Sequence, residues 1–149
     1  MPNREISPEE IHNLQRFVDA QASTYEQARS ELAAGQKRSH WMWFIFPQIR
    51  GLGSSSMAQR FAISGTAEAS DYLAHPVLGA RLRECTDLVN TIEGRSVEQI
   101  FGYPDDLKFH SSMTLFAQVS EADAAFTTAL GRYFSGKADR ATMERLQAP

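Results

Sequence analysis

A chain of 149 residues, 42% hydrophobic and 22% charged, can bury roughly 70% of its unfolded surface in one core, without disulfides or a structural metal. Its net charge of −3 excludes the broad basic surface that nucleic acid or an anionic membrane requires and leaves only local basic patches. The lone cysteine, Cys85, excludes an internal disulfide framework and sits in the apolar pattern Leu82, Cys85, Leu88, Val89, as a small core residue does. No signal peptide is legible in Met1-Pro2-Asn3-Arg4-Glu5-Ile6, and no apolar run reaches the ~18 residues of a membrane span, so the expected location is the cytoplasm.

In chain order, helix punctuation dominates. Ser7-Pro8-Glu9-Glu10 forms a capping box with proline at the first helical position, and Ile11, Leu14, Phe17 and Val18 recur at helical spacing, which predicts a helix to about Ala22. A second box, Ser23-Thr24-Tyr25-Glu26, opens a helix that Gly35 closes from the left-handed position. Ser39 is placed to cap a third helix through Trp41-Met42-Trp43-Phe44-Ile45-Phe46, although six consecutive apolar residues before Pro47 also suit a buried strand; the scarcity of partner strands favours the helix. Gly51-Leu52-Gly53-Ser54-Ser55-Ser56 reads as a loop inside the domain.

Short helices are expected at Met57–Phe61 and from Thr66, which carries Ala69, Tyr72 and Leu73. His75-Pro76 interrupts the chain, with His75 as a helix-capping residue. The clearest stripe, Val77, Leu78, Leu82, Cys85, Leu88, Val89 and Ile92, predicts a long helix ended by Gly94. Ser96 and Gln99 cap a short turn to Phe101. The following helix carries Leu107, Phe109, Met113, Leu115 and Phe116. Another starts at Ser120-Glu121-Ala122-Asp123, and Asp139 caps a last one through Leu146. With no repeat or composition shift, the expected fold is mainly α: one compact multi-helix domain over residues 1–149, with room for one short extended segment.

The strings from Arg38 to Gln48, Gly51 to Gly53, Tyr72 to Leu82 and Asp105 to Phe116 together resemble a widespread bacterial domain-of-unknown-function family, over about Arg16 to Leu146. The resemblance implies a mainly α-helical single domain of this length. It implies no reaction, cofactor or catalytic residue. Some relatives are labelled calpastatin-like, a label that does not fit here, because that inhibitor is a disordered chain and this one is too rich in aromatic and aliphatic residues to stay unfolded.

The chemistry is then read from residue types. Gly51, Gly53 and Ser54, between Arg50 and a helix start near Met57 with Arg60 beyond, make a candidate anion cradle, though the spacing is neither a Walker loop nor a dinucleotide fingerprint; a plain turn is the simpler reading. Lys37, Arg38 and His40 precede Trp41 and Trp43, which point to different sides of a helix or strand, so one indole can enter the core while the other stacks on a planar ligand. On a helix, Asp105, Lys108 and Ser111 share one face, either as an ordinary polar stripe with a salt bridge or as a ligand-orienting one. His12, His40, His75 and His110 have no metal-ligand spacing, so no metal site is expected.

These segments together suggest a pocket for a small anionic, nucleotide-like or phosphorylated ligand, with His40 and Asp105 as the candidates for acid/base chemistry if the protein is an enzyme. The alternative is a helical protein-interaction module without catalytic activity, using an indole as its hot spot. No cofactor is called for, and nucleic acid is disfavoured as a partner.

Overall fold

The computed structural model describes residues 11–147 apart from Glu121, so the capping box at Ser7-Pro8-Glu9-Glu10 lies outside the described residues. Within them the chain forms ten helices: α1 (Gln15–Ala22), α2 (Tyr25–Ala33), α3 (Met42–Ile45), α4 (Ser56–Arg60), α5 (Thr66–Ala74), α6 (Leu78–Thr91), α7 (Val97–Phe101), α8 (Asp105–Val119), α9 (Ala124–Phe134) and α10 (Arg140–Gln147). The fold is a mainly α single domain. Its only extended pairing among the described residues is a parallel bridge between Ile49 and Ile63, closed by Ile63 N–H to Gln48 O and Arg50 N–H to Ile63 O, both 2.8 Å.

Two helices carry the architecture. α8 packs against α5, α7, α9 and α10, and seven consecutive residues, Ser111 to Ala117, are buried, so it is enclosed on all sides as a central helix must be. α6 presents Leu78, Leu82, Cys85 and Val89 inward and is held by α2, α3, α5 and α9. Burial pushes the Cys85 thiol up to about 12, so it stays protonated and packs as a small hydrophobe. Aromatic rings link the layers. Phe46 meets Phe101 and Phe109 edge-on at 5.8 and 5.1 Å, and Phe17 meets Tyr72 edge-on at 5.1 Å.

Local chemistry accounts for most boundaries. At the end of α2, Gly35 adopts φ +80° while Gln36 N–H reaches Glu31 O and Gly35 N–H reaches Leu32 O, the two bonds of a Schellman closure. His75 Nδ1 accepts from the N–H groups of Val77 and Leu78 at 3.1 and 3.2 Å and so caps α6. Ser96 and Gln99 exchange side-chain and backbone bonds in a complete capping box, and Asp139 Oδ2 accepts from Thr142 N–H at the start of α10.

Five expectations need correction. No side chain caps α2, whose preceding residue is Thr24, so the box expected at Ser23-Thr24-Tyr25-Glu26 does not form. Residues 11–14 do not continue α1 as one regular helix, because Asn13 takes φ +48°. Ser39 does not cap a helix through the aromatic run: its hydroxyl donates to the Glu31 carboxylate, and α3 is one turn long, after which the chain extends through Pro47 into the Ile49 bridge. α9 begins at Ala124, with Asp123 as its cap residue, because the Asp123 carboxylate is held by Arg83 and by the Ser120 hydroxyl. Leu107, grouped with Phe109 in the apolar stripe, is 52% exposed, since residues two apart on a helix face opposite ways.

Candidate functional site

The segment 37–48 is organised from below by a buried carboxylate. Glu31, 4% exposed, accepts hydrogen bonds from the Arg38 and Ser39 N–H groups, the Ser39 hydroxyl, the Gln27 amide and the Trp41 indole N–H, at 2.6 to 3.0 Å. Burial works against its ionised form, but the bonds from Ser39, Arg38 and Gln27 outweigh it and hold the carboxyl down at about 2. Trp41 is therefore a fully buried anchor, its indole N–H pulled inward. Trp43, two residues on, turns the other way and is only half-buried.

Trp43 forms one wall of a cleft of about 500 Å³. Gln48 and the loop residues Leu52, Gly53, Ser54 and Ser55 form a second side with Ala58; the start of α8 contributes Pro104, Leu107, Lys108 and Ser111; Asp139 and Ala141 close it from the start of α10. The Lys108 ammonium stands 5.0 Å from the Trp43 ring centroid and 3.3 Å from Asp105 Oδ1. The other Asp105 oxygen pairs with Lys37 at 2.8 Å, and Lys37 in turn lies 5.1 Å over the Trp41 ring and donates to Ser39 O. One carboxylate thus joins two lysine–indole pairs, one buried and one facing the cleft.

On the opposite wall, the hydroxyls form a directed chain. Thr142 Oγ1–H donates to Asp139 Oδ2 at 2.6 Å, so the 2.7 Å contact between Ser111 and Thr142 is made by the Ser111 proton. Ser111 lines the cleft but is 2% exposed, its hydroxyl held against Thr142. The loop is less open to a ligand than its glycines suggest. The Ser55 hydroxyl accepts from Ala58 N–H as the cap of α4, and a Cβ on Gly53 would stand 2.8 Å from that of Ala58, so the loop is folded onto its own helix.

The sequence-derived candidates thus divide by place. Trp43, Gly53, Ser54, Lys108 and Ser111 line the cleft, with Lys37 and Asp105 immediately behind Lys108. Trp41 lies in the core. Arg38 and His40 are exposed on the segment before α3 and do not line this cleft; the Arg38 side chain reaches Gln36 Oε1. Arg50 opens into a second cavity, and Gly51 lies against Arg145. Arg60 packs over Phe61, 5.1 Å from its centroid. Both oxygens of Asp105 are engaged by lysines. Among the described residues, no group of three or more His, Cys, Asp or Glu is arranged to hold a metal. Sequence reasoning missed Gln48, Thr142 and the cleft-facing position of Asp139; the cap signal at Asp139 was the only cue to the last.

A family described as "Protein of unknown function (DUF1810)" matches residues 11–146, nearly the whole chain. The chain belongs to the DUF1810 family. A solved relative shares its fold: the conserved hypothetical protein Rv1873 from Mycobacterium tuberculosis is 54% identical, with a TM-score of 0.91, over 93% of this chain and 99% of that one. No curated protein matches. No helix among the described residues is long and apolar enough to cross a membrane.

Proposed function

We propose that this DUF1810 protein binds a small anionic ligand with a planar group in the Trp43 cleft, the ring against the indole and the negative charge at Lys108. The observation that carries the reading is the pairing of an accessible indole with an ammonium over its face in a concavity of about 500 Å³, the size and mixed lining of a small-molecule site. Ser54 and Gln48 add hydrogen-bonding groups around that wall. These groups support binding rather than bond-breaking chemistry, since Asp105 is engaged by two lysines and His40 lies off the cleft. Nucleoside monophosphates and ADP-ribose-like compounds combine the required ring and charge.

Isothermal titration with AMP, ribose 5-phosphate and ADP-ribose tests this. Saturable binding is expected for at least one ring-bearing compound, weakened tenfold or more by Lys108→Ala and by Trp43→Leu; no heat beyond dilution with all three contradicts the proposal. One observation favours the competing interaction-module reading. Tyr103 is 76% exposed and Leu107 52%, beside Pro104 at the rim, an apolar edge suited to a protein side chain. Tyr103→Ser separates the two: Tyr103 does not line the cleft, so its loss spares a small ligand on Trp43 and abolishes a partner docked on the rim.

A further inference from the structure

A second cavity, of about 320 Å³, lies apart from the Trp43 cleft and is lined by Arg50, Arg145, Ser64, Gly65 and Thr66 with flanking Ile49 and Leu146. We infer that it is a binding site for a tetrahedral oxyanion, a phosphate or the phosphoryl group of a small molecule, held between the guanidinium groups of Arg50 and Arg145.

Three observations support this. First, neither guanidinium has a carboxylate partner among the described residues, so both are available to an external anion. Both line one hollow, where a bound anion relieves the repulsion between like charges. Second, the pair is positioned. Arg145 Nη2 donates to Gly51 O at 3.1 Å, and its guanidinium lies where a Cβ on Gly51 would be, 2.7 Å from Cζ, so glycine at this φ of +97° leaves room for that group. Arg50 is anchored through its backbone by the bridge to Ile63, which fixes the distance between its segment and Ser64-Gly65-Thr66. Third, the nearby acid is already neutralised. Glu68 is 3% exposed and bound by Arg16 and by the Ser64 N–H and hydroxyl, so it does not occupy either cavity arginine. Gly65, the residue before α5, carries no side chain to cover the helix start, and it lines the cavity together with Thr66. A forked guanidinium pair matches phosphoryl oxygens in geometry as well as in charge.

The test is a titration of the 15N-labelled protein with inorganic phosphate, and separately with ribose 5-phosphate, against sodium chloride at matched ionic strength. Saturable shifts are expected at the Gly65 and Thr66 amides and at the Arg50 and Arg145 Nε–H signals, with affinity reduced at least fivefold in Arg50→Ala. Arg50 is exposed and its side chain makes no hydrogen bond or ion pair among the described residues, so this variant removes charge without removing a bond from the fold. Tighter binding of phosphate identifies an ion site, and tighter binding of ribose 5-phosphate a site for a phosphorylated small molecule. Shifts equal to those in chloride, or unchanged in Arg50→Ala, overturn the inference. Lys108→Ala is expected to leave this titration intact, so the fate of this site is read independently of the Trp43 cleft.

Discussion

At the residue scale, the best-defined device is Glu31. A buried carboxylate with five donors substitutes for regular secondary structure across residues 37–41, giving that segment one conformation and pulling Trp41 into the core. Because its folded pKa is depressed to about 2, its contribution is fully present above the ordinary carboxylate range near 4.5 and is lost as pH falls towards 2. Glu31→Gln is therefore expected to lower stability by about 2 kcal/mol at neutral pH, by urea denaturation, with the gap to the wild type closing as pH is lowered through that window. None of this was legible in the sequence. Glu31 looks like any helical glutamate, and all its partners except Gln27, one turn earlier on α2, assemble only when the segment after Gly35 folds back over that helix. The same holds for Arg16, whose partners Arg60 O, Ala62 O and Glu68 lie 44 to 52 positions away.

At the element scale, the signals that survived translation into structure are the local ones: the box at Ser96, the left-handed Gly35, the cap at His75, the cap at Asp139. Each depends on neighbours within four residues, so the sequence contains the whole interaction. The aromatic run was ambiguous for the opposite reason. A segment apolar on every side has no periodicity, and its conformation is decided by what surrounds it: Glu31 below, Ile63 beside, α6 behind. Helix contacts also hide in single residues. A Cβ on Gly79 would stand 2.1 Å from Leu73 O, a backbone atom that cannot swing aside, so α5 and α6 meet as closely as their backbones allow. Gly79→Ala is expected to cost about 3 kcal/mol, measured as a lowered denaturation midpoint with unchanged slope; wild-type stability in that variant contradicts the close approach.

At the scale of the whole molecule, α8 is buried from Ser111 to Ala117 and α6 packs its inner face on four neighbours, while the cleft is built where other elements begin and end around them. The cleft draws on α3, the loop before α4, α8 and the start of α10, which are nearly a hundred residues apart in the chain. Sequence reasoning found the contributing residue types in the first three segments, because aromatic, glycine-serine and acid–base patterns are visible locally. It could not tell that Arg38 and His40 stay outside, that Arg50 opens into another cavity, or that Asp139 and Thr142 complete the far wall, since these depend on how helices pack and not on spacing. One indole lies in the core and one on the cleft, and the two indole N–H resonances of the 15N-labelled protein report on that division. On titration with AMP, the Trp43 signal is expected to move and saturate while the Trp41 signal, bonded to Glu31, stays fixed; a moving Trp41, or two unchanged indoles with any ligand that binds, contradicts it.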